Sequence, residues 1–162
     1  PFFPVDLDEL PAKLDIGEMH DGEERKVGPY HVRAASIWHP APSLAYRVEA
    51  DGRSLVYATD TEDAFSGKPN PVTTLARGAD TLIHDAQYLQ SDFKPTWGHS
   101  TIEAAIDIAA QAKVKRLVLY HHDPDRSDDA LDHIGRDASR AGRERSSGLE
   151  VVVAREGLEL EV

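Results

Sequence analysis

Apolar and polar positions along the chain change period several times, and each change marks an element. His31 to Ile37 alternates as a strand, and so do Leu44 to Ala50 and Ser54 to Ala58. Asp51-Gly52 joins the last two, the residue pair a tight two-residue hairpin prefers. Lys13 to Met19 reads as a short strand, followed by a polar turn over His20 to Glu24. Thr73 to Arg77 reads as a short helix and Ala79 to His84 as a buried strand running into Asp85. Ile102, Ala105, Ile106, Ala109 and Ala110 recur at helical spacing, with Ser100 and Glu103 placed as a capping box at the start. Arg116 to Tyr120 is a compact strand, and Ser127 caps a second helix reaching Arg143, with Leu131, Ile134, Ala138 and Ala141 on its inner face. Leu149 to Ala154 and Leu158 to Val162 read as closing strands. Strands followed by helices, with polar residues gathered where strands end, predict a layered α/β fold whose site lies along one edge of the sheet.

Composition narrows the chemistry. The 162 residues, 40% of them hydrophobic, suffice for one domain-sized core, and no shift in composition marks an internal boundary. There is no cysteine, so any metal must sit on histidine and carboxylate. A net charge of -11 argues against a broad cationic surface for a nucleic-acid backbone. No apolar run reaches the length of a membrane span and no signal-peptide pattern appears, so a soluble, cytoplasmic protein is the expectation. Pro1 to Pro11 surrounds Phe2, Phe3 and Val5 with proline and acidic residues, an extended segment whose aromatics need another surface.

The candidate chemistry gathers around Tyr57-Ala58-Thr59-Asp60-Thr61-Glu62, an apolar strand that runs into a carboxylate flanked by hydroxyls. A strand end is a stiff platform for a ligand. Taken alone, Asp60 also reads as a turn opener and His39 as a loop histidine. Their neighbours change the balance: His39, Asp85, His99, His121 and His122 each fall at a strand end or helix start. The prolines of His39-Pro40-Ala41-Pro42 limit where His39 can point.

The strings HPAPSLAYRVEADGRSLVYATDTE, ADTLIHDAQY, WGHSTIEAA and RLVLYHHDP resemble, in order and spacing, the later motifs of the metallo-β-lactamase-fold hydrolases. The likeness is to the branch holding ribonuclease Z and the cyclic-phosphate phosphodiesterases of phosphonate breakdown. It runs from about His31 to the C-terminus. It implies half of an αββα sandwich, a mixed sheet with helices on one face. It implies two divalent metal ions, zinc or manganese, with His39 on one, Asp60 bridging and His121 on the other. His99 matches the residue that gives a proton to the leaving oxygen. Asp85 stands where ribonuclease Z has a glutamate, and there it would hold the His99 imidazole in the needed tautomer. Between a substrate-binding or outer-sphere role and a plain strand-end role, His122 stays open.

The family's main ligand cluster, His-x-His-x-Asp-His, does not occur in the 162 residues. The resemblance therefore implies that residues 1–162 are the C-terminal portion of one domain whose N-terminal portion is missing. Alone, such a chain is expected to be inactive, and to self-associate, stay partly disordered or hold a partner segment. The implied activity is hydrolysis of a small-molecule or nucleotide phosphodiester. Two alternatives remain open: a thioester, lactone or lactam hydrolase of the same fold, and a metal-free interaction module derived from it.

Overall fold

A computed structural model describes residues 11–12, 16–62 and 70–162. Among these described residues seven strands lie in sequence order in one sheet: β1 Glu24–Val27, β2 Tyr30–Ile37, β3 Ser43–Ala50, β4 Arg53–Ala58, β5 Thr81–Asp85, β6 Arg116–Tyr120 and β7 Glu150–Val153. The first four form an antiparallel meander, and β4 to β7 run parallel. Parallel neighbours need crossover connections. Three helices supply them: α1 Pro71–Leu75, α2 Ile102–Ala112 and α3 Asp128–Arg145. Because α2 packs against both α1 and α3, the helices form one layer on one face. The expected α/β architecture, a mixed sheet with helices on one face, is the one found. Among the described residues no helix is long and apolar enough to cross a membrane.

Local chemistry explains the elements. At the β3–β4 hairpin Asp51 and Gly52 take φ of 51° and 75°, the doubly positive pair that matches the twist of the flanking strands. Helix α3 starts at the Ser127 cap with Asp128 and Asp129 in its first turn and ends with Arg143 and Arg145 in its last, each charge opposing the helix dipole. Gly142 lets α3 lie close on β7, since a Cβ there would meet Val151 Cγ2 at 2.5 Å.

The two faces of the sheet differ. Toward the helices, Val56, Leu82, Leu117 and Val151 pair across β4 to β7 and are all buried. They pack with Ile102, Ala105, Ile106 and Ala109 of α2, whose alanines allow close approach. Toward the other face, Tyr46, Tyr57, Ile83, Val118 and Val152 pair in a second row. Tyr57 is 41% exposed there, and Tyr120, 43% exposed, sets its ring 6.3 Å from that of Tyr57. The central strands thus read as continuous apolar runs because both faces are hydrophobic.

Several sequence expectations need correcting. Strand β1 begins at Glu24, where the polar turn over His20 to Glu24 is expected to end, runs to Val27 and turns back on β2 at Gly28-Pro29. Residues 16–19 form no strand, and residues 1–10 and 13–15 lie outside the described residues. The cap of α2 is Thr101, whose hydroxyl accepts from Ala104 N–H at 3.1 Å. Ser100 is already committed: its N–H donates to Asp85 and its hydroxyl donates to the Thr61 carbonyl at 2.7 Å. Residues 158–162 form no strand, although the Glu161 carbonyl accepts from Arg116 at 2.6 Å.

At the edge of the sheet far from the strand C-termini, Asp80 accepts from Ser54 N–H at 2.9 Å, Ser54 hydroxyl at 3.0 Å and Lys115 at 2.6 Å. The Lys115 ammonium, with help from Ser54, draws the Asp80 carboxyl down from 3.8 to about 2. Nearby, Arg47 donates to the Leu75 and Arg77 carbonyls that the end of α1 leaves free. Asp80→Asn is expected to cost about 1–2 kcal/mol at neutral pH. Because the folded carboxyl titrates below the unfolded one, that contribution is complete above the unfolded value and disappears as pH falls through about 2. Denaturant unfolding of both proteins across that range checks it; an undiminished difference at pH 2 contradicts the assignment.

Candidate functional site

The C-terminal ends of β2, β4, β5 and β6 share one edge of the sheet, because β2 and β4 both oppose β3 and the later strands run parallel to β4. His39 lies two residues past β2, Asp60 two past β4, Asp85 ends β5, and His121 directly follows β6. His99 stands three residues before α2, two before its Thr101 cap. The topology therefore brings together His39, Asp60, Asp85, His99 and His121. Asp85 falls in the alternation of Ile83, on the face away from the helices.

Asp85, fully buried, is the centre of this group. Its Oδ2 accepts from Asp60 N–H at 3.1 Å and lies 2.9 Å from His99 Nδ1 and 3.1 Å from His121 Nδ1. Its Oδ1 accepts from Ser100 N–H at 3.0 Å and Gln87 N–H at 3.2 Å. The side chain, one methylene shorter than a glutamate, still reaches His99. A carboxylate only accepts, so both imidazoles donate from Nδ1 and keep Nε2 with its lone pair. Asp85 thus sets the tautomer and direction of two rings at once. The rings of His99 and His121 lie 4.8 Å apart, and His39 lies 5.8 Å from His99 on its other side.

Asp60 and His121 both adopt positive φ, 54° and 58°. For residues with a Cβ this costs about 1–3 kcal/mol each. Such strain past the two strands that flank β5 marks a place where side-chain direction outweighs backbone comfort. Asp60 Oδ2 accepts from Thr59 hydroxyl at 3.3 Å, and Oδ1 sits 4.0 Å from His121 Nε2. Thr61, also expected near Asp60, is buried and supplies its carbonyl to Ser100. His39 Nδ1 lies 3.1 Å from the Ala41 carbonyl and 3.2 Å from Ala41 N–H; donating to the first leaves Nε2 with its lone pair, and accepting from the second leaves the proton on Nε2. 

A divalent cation fits these residues. One ligand atom each from His39, Asp60 and His99 lie within 4.8 Å of one another, as do atoms of Asp85, His99 and His121. In the second trio Asp85 is occupied by hydrogen bonds from the imidazoles, so it orients ligands. Neutral imidazoles with a carboxylate, and no thiolate, suit zinc or a cation of similar preference.

His122 points elsewhere. It lines a cavity of about 460 Å³ with Tyr120, His121, Ala154, Arg155 and Glu156. Burial, reinforced by Arg126, holds its imidazole below the ordinary histidine value, while Asp85 and backbone contacts oppose the shift. The remaining histidines lie outside the group: His20 is exposed ahead of β1, His84 is buried on the helix face, His31 sits beside Glu24 and Glu49, and His133 is exposed on α3. Sequence reading missed three neighbours. Tyr88 is buried with its ring 6.3 Å from His99, and burial and nearby carboxylates raise its phenol pKa. Glu62 and Gly98 contact the loops that carry His39 and His99. Their only signal was adjacency to a motif residue.

Residues 2–122 match the beta-lactamase superfamily domain. The uncharacterized protein ML1173 of Mycobacterium leprae is 32% identical over 120 residues, covering 74% of this chain and 40% of that protein. Ribonuclease Z of Brevibacillus brevis is 41% identical over 75 residues, 45% of this chain and 22% of that protein. Among solved structures, the metallo-beta-lactamase fold protein YhfI of Bacillus subtilis superposes with a TM-score of 0.69 at 21% identity, over 86% of this chain and 53% of that one. The chain thus spans less than half the length of these two sequence relatives and about half of that structure. The mixed sheet with its one layer of helices agrees with that fold, and the chain, which is also similar over part of its length to ribonuclease Z, belongs to the beta-lactamase superfamily domain family.

Proposed function

We propose that this chain supplies part of the active site of a metal-dependent phosphodiesterase. The observation that carries the reading is the Asp85 carboxylate held by His99 Nδ1 and His121 Nδ1 together, which leaves two Nε2 atoms available beside Asp60. Ribonuclease Z relatives support a phosphodiester as the bond cleaved.

His39, Asp60 and His121 would hold the cations, zinc or manganese, with Asp60 offering two oxygens to a pair. When bound, two divalent cations supply Lewis acidity to an attacking water and to the phosphoryl group. The rest falls to the chain. As the water oxygen bonds to phosphorus it gives up a proton, the phosphorus–oxygen bond to the leaving group breaks, and His99, having taken up a proton on its Nε2 lone pair, passes it to the departing oxygen, so that one proton moves in net from water to the leaving group. Asp85, bonded to Nδ1, stabilises the imidazolium before transfer and holds the ring in line. His122 and Arg155 flank the approach to His121 and would touch the substrate through the shared cavity.

Three ligands from this chain are too few for two cations, so the remaining donors come from outside residues 1–162. The apolar row of Tyr46, Tyr57, Ile83, Val118 and Val152 lies on the same face as Asp85. A segment covering that row would reach the site. We assign this role to an upstream portion of the same domain carrying a His-x-His-x-Asp-His cluster.

In the intact protein, Asp60→Ala is expected to lose bound metal, whereas His99→Ala keeps it and cleaves an aryl phosphodiester about 10²–10⁴-fold more slowly. Metal analysis beside the assay separates the two; full occupancy in Asp60→Ala rules out its ligand role. Residues 1–162 alone are expected to bind zinc weakly and leave the phosphodiester intact, then to gain both properties when a separately made upstream segment is added. A monomeric, fully active chain with two tightly bound metals would contradict the division of the site.

A further inference from the structure

Glu62 lies two residues beyond Asp60 and is 1% exposed. Among the described residues no ion pair reaches it; its carboxylate is met by backbone amides instead. Oε1 accepts from Thr96 N–H and Oε2 from Gly98 N–H, both at 2.9 Å. Its own N–H donates to the Trp38 carbonyl at 2.8 Å. One residue therefore ties together the loop carrying His39, the strand extension carrying Asp60 and the turn leading to His99.

A buried carboxylate without a cation is expensive unless every oxygen is well bonded. Here the two amides it holds belong to an unusual turn. Thr96 has φ of 69° and Gly98 of 87°. A β-branched residue at positive φ is disfavoured, so the turn needs an external hold. Its shape brings Gly98 against His39. A Cβ at position 98 would stand 2.2 Å from His39 Cδ2, 2.9 Å from His39 Nε2 and 2.6 Å from Pro40 Cδ. The bare glycine backbone thus forms the wall along the edge of the imidazole that carries Nε2, and the next residue is His99.

We propose that Glu62 is a positioning residue whose carboxylate clamps the 96–98 turn against His39 and thereby sets the separation of His39 from His99. The proposal deepens the phosphodiesterase reading and rests on it for the roles of those two histidines. Glu62 touches no reacting group. It acts through the main chain: one oxygen holds the strained Thr96, the other holds Gly98, and the turn in turn restricts the His39 ring. A glutamine is the sharpest replacement, because it keeps the shape but presents an NH₂ where one amide needs an acceptor.

The test compares the intact protein, Glu62→Gln, Glu62→Asp and, as a control for lost stability remote from the site, Asp80→Asn. Amide exchange by NMR should quicken about tenfold or more at Thr96 and Gly98 in Glu62→Gln, with Ala104 and Ala86 unchanged. Zinc affinity by chelator competition and kcat on an aryl phosphodiester should each fall about 10–100-fold, as for other outer partners of metal ligands, with KM little altered. Glu62→Asp, which keeps both acceptors on a shorter arm, should fall between, and it replaces Glu62→Gln if the latter does not fold. Asp80→Asn should keep zinc affinity and kcat. Unchanged exchange at Thr96 and Gly98, or faster exchange with wild-type zinc affinity, overturns the clamp. An intact protein that cleaves no phosphodiester while Glu62→Gln still loses zinc and frees the turn overturns the functional reading and leaves the clamp standing.

Discussion

One buried carboxylate holds the edge of this sheet together. Asp85 ends the central strand β5 and receives the Asp60 amide from beyond β4, the His121 ring from beyond β6, and the Ser100 amide and His99 ring from the approach to α2. A fully buried charge tolerates no idle lone pair. The five N–H groups around it are therefore a condition of its burial as well as a means of arranging the site. The same contacts that make Asp85 tolerable inside the protein direct two imidazoles and one aspartate backbone. Stability and site geometry are not separable here.

The strain at this edge follows from that convergence. Asp60 and His121 leave their strands in the left-handed region, and Thr96 and Gly98 turn the same way before His99. Regular extension would carry Asp60 and His121 along their strands and away from Asp85. Turning back brings the Asp60 amide and the His121 ring to it. The cost is offset by hydrogen bonds to two buried carboxylates, Asp85 and Glu62, neither of which is paired with lysine or arginine among the described residues. At the other end of the sheet the carboxylate Asp80 is served by Lys115 and Ser54, an ordinary ionic arrangement near solvent. The contrast separates an end built for stability from an end built to aim side chains.

The packing of the faces also has a functional side. Small residues of α2 seat the helix layer tightly on the inner row, whereas in the outer row Val118 is buried and Tyr46, Tyr57, Ile83 and Val152 keep partial exposure. Asp85, itself buried, alternates to that side of β5. On the reading proposed above, covering the row and completing the ligand set would be one structural requirement, because both lie on the same side of the same strands.

Much was legible in the sequence where signals are local. Period-two alternation located β2, β3 and β4, the Asp51-Gly52 pair located their hairpin, helical spacing located α2 and α3, and motif order identified the family. His39, Asp60, Asp85, His99 and His121 stood out because each ends an element, and a sheet with parallel strands gathers such ends at one edge. What the sequence could not express is decided by distances between remote residues. Nothing local tells that Ser100 is spent on Asp85 and Thr61, leaving the cap to Thr101, or that Asp85 serves two histidines. Nor does composition reveal that Glu62 reaches 36 residues ahead to Gly98. Hydrophobic period and turn chemistry act over a few residues and so survive in the one-dimensional pattern; hydrogen-bond saturation of a buried charge depends on which chain segments meet, and only the tertiary fold decides that.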